Sequence, residues 1–167
     1  MAADIAKLTA APDDVNEATA GAPRAPSTGQ IMSDFRTVTD DFAVSPQIAV
    51  EDVAAAAAQG FKLIINNRPD GEQPGQPTNA EIAAAAKAAG LAYVYIPVVG
   101  RPTAEQAKAT RDAAASAEGK ALAFCRSGTR SITAWSMGQA AAGDRPAGEL
   151  VELGAGAGYD LSGVLGG

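Results

Sequence analysis

Short apolar runs alternating with alanine-rich helical stretches predict an α/β fold, a mostly parallel central sheet flanked by helices. Three observations carry that expectation. Phe61–Ile65, Leu91–Val98 and Lys120–Phe124 are apolar or β-branched runs of strand length. Each gap between them holds a stretch of helix length with a cap or a closing glycine. Strands separated by such crossovers pair in parallel, with helices covering both faces.

The elements follow in order. Phe35-Arg-Thr-Val-Thr39 alternates and is β-branched, Asp40-Asp41 is a turn signal, and Phe42-Ala-Val-Ser45 reads as a second short strand. Val50–Gln59 reads as a helix, with acids in its first turn and Gly60 at its end. The strand Phe61–Ile65 leads into the polar loop Asn66-Asn-Arg-Pro-Asp-Gly-Glu72 and its continuation QPGQP. Thr78-Asn-Ala-Glu81 opens the next helix as a capping box, and Gly90 closes it. After the strand Leu91–Val98 comes a loop through Arg101-Pro102, then a helix from Thr103 to about Glu118. The strand Lys120–Phe124 runs into Cys125, and ITAWSMGQAAA beyond it is helical. The glycine-rich stretch Gly154–Gly158 is expected to break the last helix. It lacks the preceding strand that a dinucleotide fingerprint requires. Residues 1–33 are rich in Ala, Pro, Thr, Asp and Gly without lasting periodicity, so we expect a disordered or loosely attached extension before a domain of residues 34–167.

Composition narrows the function. The chain has 167 residues, enough for one domain, and 40 of them are alanine. Large apolar side chains are therefore scarce and the core modest. A net charge of −6 argues against a nucleic-acid or polybasic membrane binder. No apolar run approaches a bilayer span, and MAADIAKLTAAPDD lacks the basic start and apolar stretch of a secretory signal, so a soluble, cytoplasmic protein is expected. A single cysteine excludes an internal disulfide, and the absence of histidine removes His-based triads and the common zinc sites. Neither a metal nor a cofactor is expected.

The chemistry concentrates in Phe124-Cys-Arg-Ser-Gly-Thr-Arg-Ser131. A strand ends on a cysteine, a glycine permits a tight turn, and a helix begins beside an arginine. Such a loop can point successive N–H groups of Arg126, Ser127, Gly128 and Thr129 at one anion. The same amides favour the thiolate of Cys125 as nucleophile, and Arg130 adds bidentate donors for an oxyanion. A lone cysteine at a strand end is ordinarily a small buried hydrophobe, but two neighbouring arginines are hard to explain by packing. Ligands of parallel sheets sit at the C-terminal strand ends. Asn66–Glu72 and Val99–Pro102 should therefore converge on this loop, with Asn67 and Arg68 at its rim. Ser131 is either a hydrogen-bond donor to the sulfur or a plain helix-start residue.

Phe35–Ser45, INNRPDGEQPGQPT, YVYIPV, CRSGTRS and AGYDLSG together resemble one bacterial family, the phosphatase-like domains named for beta-lactamase hydrolase-like proteins, also described as sulfurtransferases. The resemblance spans Phe35 to about Gly163. It implies the fold of dual-specificity, protein-tyrosine-phosphatase-like domains, with Cys125 as nucleophile and Arg130 as the anion-binding arginine.

Two departures from ordinary tyrosine phosphatases matter. Their arginine comes six positions after the cysteine; here Arg130 comes five after Cys125 and Ser131 holds the sixth place, and Cys-Arg-x-Gly-x-Arg is similar to the active-site loop of rhodanese-type sulfurtransferases. Their general acid, an Asp, sits on a mobile loop; the corresponding Val98-Val-Gly-Arg-Pro102 carries no acid before Glu105. If phosphate esters are the substrate, Asp70 is the expected substitute, with Glu72 behind it. Three functions stay open: a phosphatase forming a phosphocysteine on Cys125, a sulfurtransferase carrying a persulfide there, and a non-catalytic anion-binding module. The expected partners are a small anionic substrate, a phosphorylated molecule or an acceptor thiol.

Overall fold

A computed structural model of the chain describes residues 34–165. The expected extension over 1–33 lies outside the described residues. Strands β1 (Arg36–Thr39), β2 (Phe42–Ser45), β3 (Phe61–Asn66), β4 (Ala92–Tyr95) and β5 (Lys120–Phe124) form one sheet in the order β1-β2-β5-β3-β4. The β1–β2 hairpin is antiparallel, and β2, β5, β3 and β4 run parallel. Helices α1 (Val50–Ala58), α2 (Asn79–Ala88), α3 (Ala104–Ser116), α4 (Thr129–Ala142), α5 (Ala147–Gly156) and α6 (Ser162–Leu165) complete the order.

Strand periodicity sorts the core into two layers. Phe42, Val44, Leu63, Ile65, Ala121 and Ala123 face one side, where they meet Ile132, Trp135, Leu150 and Leu161. Ala43, Ile64, Leu122 and Phe124 face the other, against Val53, Ala56, Ile82 and Ala86. Small strand residues on the first side leave room for the one tryptophan, which stacks on Phe42 with centroids 4.6 Å apart. The expected capping box of Thr78 with Glu81 forms, and Thr103 makes a second one with Gln106.

One boundary differs from the sequence expectation. The strand expected over Leu91–Val98 pairs regularly only over Ala92–Tyr95. Pro97 has no N–H to donate, although Ile96 and Val98 still donate to the carbonyls of Asn66 and Asn67. The helix α5 ends at Gly156, inside the glycine-rich stretch expected to break it. Gly154 is retained inside it for packing, because a Cβ there would come within 2.5 Å of Leu161 Cδ1. Among the described residues no helix is long and apolar enough to cross a membrane.

Candidate active site

The site forms where β5, the central strand, ends. The Phe124 carbonyl accepts the Asn67 N–H from β3's end at 2.8 Å, and the Arg126 carbonyl accepts the Gln47 N–H from the β2–α1 connection at 3.2 Å. The chain around Cys125 is thereby pinned from both sides. The cysteine is fully buried. Gly128 then turns the chain with φ +92° and caps α4, a conformation that glycine adopts without penalty. Its N–H donates to Cys125 Sγ at 3.1 Å. Ser127 and Thr129 bond each other through their hydroxyls at 3.0 Å on the exposed side of the turn. Arg126 is exposed. Ser131 is fully buried, and its hydroxyl, a candidate donor to the sulfur, has no hydrogen-bond partner among the described residues.

Arg130 joins three loops. Its Nη1 and Nη2 donate to the two oxygens of Glu72 at 2.8 and 2.9 Å, and Nη1 also donates to the Val98 carbonyl at 2.7 Å. A guanidinium has five donors, so the Nε–H and the second Nη2–H are used by neither Glu72 nor Val98. The hydrogen bonds to Glu72 are the main influence raising Arg130's pKa, and the neighbouring Cys125 adds to it. In turn the Arg130 guanidinium, and after it Arg68, holds the Glu72 carboxyl down at about 2.

Arg68 does not stand at a rim. Only 2% of it is exposed, and its guanidinium reaches Glu72, Gln47 and Gln73 at 2.8, 3.0 and 2.8 Å. Asn67 is equally buried, spanning to the Ile96 carbonyl and Thr110. Both are braces behind the site, because loops that converge on a strand end must satisfy their own polar groups there. Asn66 accepts the Arg68 N–H at 2.8 Å. Asp70, the expected proton donor, is engaged elsewhere: its carboxylate accepts the Asn79 N–H at 2.6 Å, at the start of α2, where helix amides attract negative charge. The carboxylate that meets Arg130 is that of Glu72.

Sequence reasoning placed no weight on Tyr159. Its hydroxyl donates to the Ser127 carbonyl at 2.8 Å, and its ring lies under the Arg36 guanidinium, 5.1 Å from the centroid. The Glu72 pairing had a faint signal in an acid on the right loop; the Tyr159 contact had none.

A parallel sheet whose central strand ends on a cysteine beneath the N-terminus of a helix, with an arginine one turn on, defines a phosphatase-like domain of the protein-tyrosine-phosphatase fold. Residues 34–142 match the family described as beta-lactamase hydrolase-like protein, phosphatase-like domain, and the chain belongs to that family. The beta-lactamase hydrolase-like protein of Agrobacterium fabrum is 40% identical over 126 residues, which are 74% of this chain and 29% of that protein. The chain thus spans less than a third of the curated relatives it matches. A crystal structure of a candidate phosphatase from Neisseria meningitidis is similar over 78% of this chain and 92% of its own, at 31% identity and a TM-score of 0.69. TpbA of P. aeruginosa shares the fold at 16% identity, with a TM-score of 0.57 over 77% of this chain and 76% of its own.

Proposed function

We propose that this domain hydrolyses phosphate monoesters through a phosphocysteine on Cys125. The observation that carries the reading is the pairing of an N–H donor on Cys125 Sγ with an arginine whose Nη1–Nη2 edge is fixed by Glu72 and whose other donors are left for an anion. Sγ attacks phosphorus as the bond from phosphorus to the leaving oxygen breaks, and that oxygen departs with the electron pair. Arg130 and the amides of the loop hold the phosphoryl oxygens as charge builds on them. Water then attacks phosphorus, the S–P bond breaks with its pair returning to sulfur, and inorganic phosphate leaves as the water's proton passes to solvent. The substrate class is a small phosphorylated molecule or a phosphorylated side chain.

A second reading has one observation in its favour: no carboxylate stands between Val98 and Pro102, and sulfur transfer needs no proton donor. Cys125 would attack the outer sulfur of thiosulfate, release sulfite, and pass the persulfide sulfur to an acceptor thiol.

Intact mass measured after incubation with an aryl phosphate and, separately, with thiosulfate tests both. A phosphoryl adduct, with ester turnover lost in Cys125→Ser, is the expected result. A persulfide adduct without ester turnover moves the assignment to sulfur transfer. Ester turnover undiminished in Cys125→Ser overturns the reading.

A further inference from the structure

Two of the hydrogen bonds at the site belong to a single peptide unit. The Ser127 carbonyl accepts the Tyr159 hydroxyl, and the Gly128 N–H on the same plane donates to Cys125 Sγ. The carbonyl and N–H of a trans peptide point in opposite directions, so the two bonds hold the unit at both ends. We propose that Tyr159 is a positioning residue for Cys125: its hydroxyl keeps the 127–128 peptide oriented with the N–H on the sulfur. The proposal rests on the reading that the Cys125 thiolate is the reacting group.

The need for such a lock follows from Gly128. Rotating one peptide plane changes ψ of the residue before it and φ of the residue after it, the change that separates type I from type II turns. Glycine at the second position removes the usual steric bar to that rotation. A flipped unit would aim the Ser127 carbonyl at Sγ, replacing an attractive dipole with a repulsive one for a thiolate. Ser127 and Thr129 are exposed, and their side chains bond within the turn, on its exposed side. Tyr159 holds the peptide unit, from the segment between α5 and α6. Its ring is buried, Arg36 covers it, and its hydroxyl occupies the space a Cβ on Gly128 would need. A donor on the carbonyl also polarises the amide and strengthens its N–H as a donor to sulfur.

The test is Tyr159→Phe, which keeps the ring and removes the hydroxyl. Cys125 is the sole cysteine, so iodoacetamide alkylation reads it alone and without any phosphate turnover. Loss of one neutral hydrogen bond should slow alkylation near pH 6 by about threefold to tenfold. Near pH 10, where a thiol of ordinary acidity is ionised, the two proteins should agree within about twofold. A purely structural role would not produce that convergence. Equal rates near pH 6, an equal slowing at both pH values, an acceleration in the variant, or no reaction in the unaltered protein would each overturn the proposal. Retention of ester hydrolysis in Cys125→Ser would instead remove the phosphatase reading, a failure visible separately.

Discussion

The loops after β3 and β4 end beside each other, yet they are built in opposite ways. The β3 loop is tied through its own side chains: buried Arg68 to Glu72, Gln47 and Gln73, Gln76 to the Pro69 carbonyl and the Glu72 N–H, and Asp70 to α2. The β4 loop is tied mainly through its backbone, by Val98 N–H to the Asn67 carbonyl and the Val98 carbonyl to Arg130. Its next residue, Val99, is 78% exposed. The difference separates two tasks that a phosphate-ester hydrolase performs together. The β3 loop supplies the charge that orients Arg130, so the arginine of the proposed anion seat is well held. The β4 loop, where ordinary tyrosine phosphatases carry their general acid, offers a carbonyl and an exposed valine.

The largest expected effect follows from that bare loop. With no donor for the departing oxygen, turnover should depend steeply on leaving-group acidity. Alkyl phosphates should react about 10²–10⁴-fold more slowly than aryl phosphates, the range a positioned general acid contributes. A series of aryl and alkyl phosphates, with log kcat/KM plotted against leaving-group pKa, measures it. A flat plot would mean that a donor is present and that the contrast between the loops fails.

A smaller effect sharpens the other side of the contrast. Glu72 has its carboxyl lowered from 4.5 to about 2, by Arg130 first and Arg68 second. A depressed carboxyl contributes stability above its unfolded value and loses it as pH falls through the folded one. Glu72→Gln should therefore lower Tm by about 2–6 °C at pH 7, the worth of two partly exposed pairs in a domain of this size. The gap between the two proteins should stay constant down to about pH 5 and close between about 4.5 and 2. Thermal melts across that range decide it, and a gap unchanged at pH 2 would show that the Glu72 charge does not brace the loop.

Legibility in the sequence followed range of interaction. Strand order aside, the elements were readable because Phe35–Thr39 alternates, because Phe61–Ile65 and Lys120–Phe124 are apolar runs of strand length, and because Thr78 and Thr103 announce their helices. The Cys125–Arg130 loop was readable because its residues are contiguous. What was hidden depended on contacts distant in sequence. Arg68 reads as polar and looks like a rim residue, yet it is buried, because its partners lie on the β2–α1 connection as well as on its own loop. Tyr159 lies 32 positions from the carbonyl it holds, and nothing in AGYDLSG announces that contact. Asp70 and Glu72 stand two apart on one loop, and only the fold decides which of them reaches Arg130.

That last distinction carries the smallest prediction. Asp70 was the natural choice of donor, with an acid on the loop after a neighbouring strand. Its carboxylate instead accepts the first N–H of α2, and its own N–H is held by the Tyr95 hydroxyl at 3.1 Å. Leaving that cap to protonate a substrate would expose an unsatisfied helix N–H. In Asp70→Asn the amide oxygen can still accept the same hydrogen bond, so only the attraction between carboxylate and helix dipole is lost, worth about 0.3–1 kcal/mol. Tm should fall by about 1–4 °C, while kcat/KM on an aryl phosphate and the slope against leaving-group pKa should stay within about twofold. A leaving-group slope that steepens in Asp70→Asn would return the proton donor to the β3 loop, and both tasks would then belong to one loop.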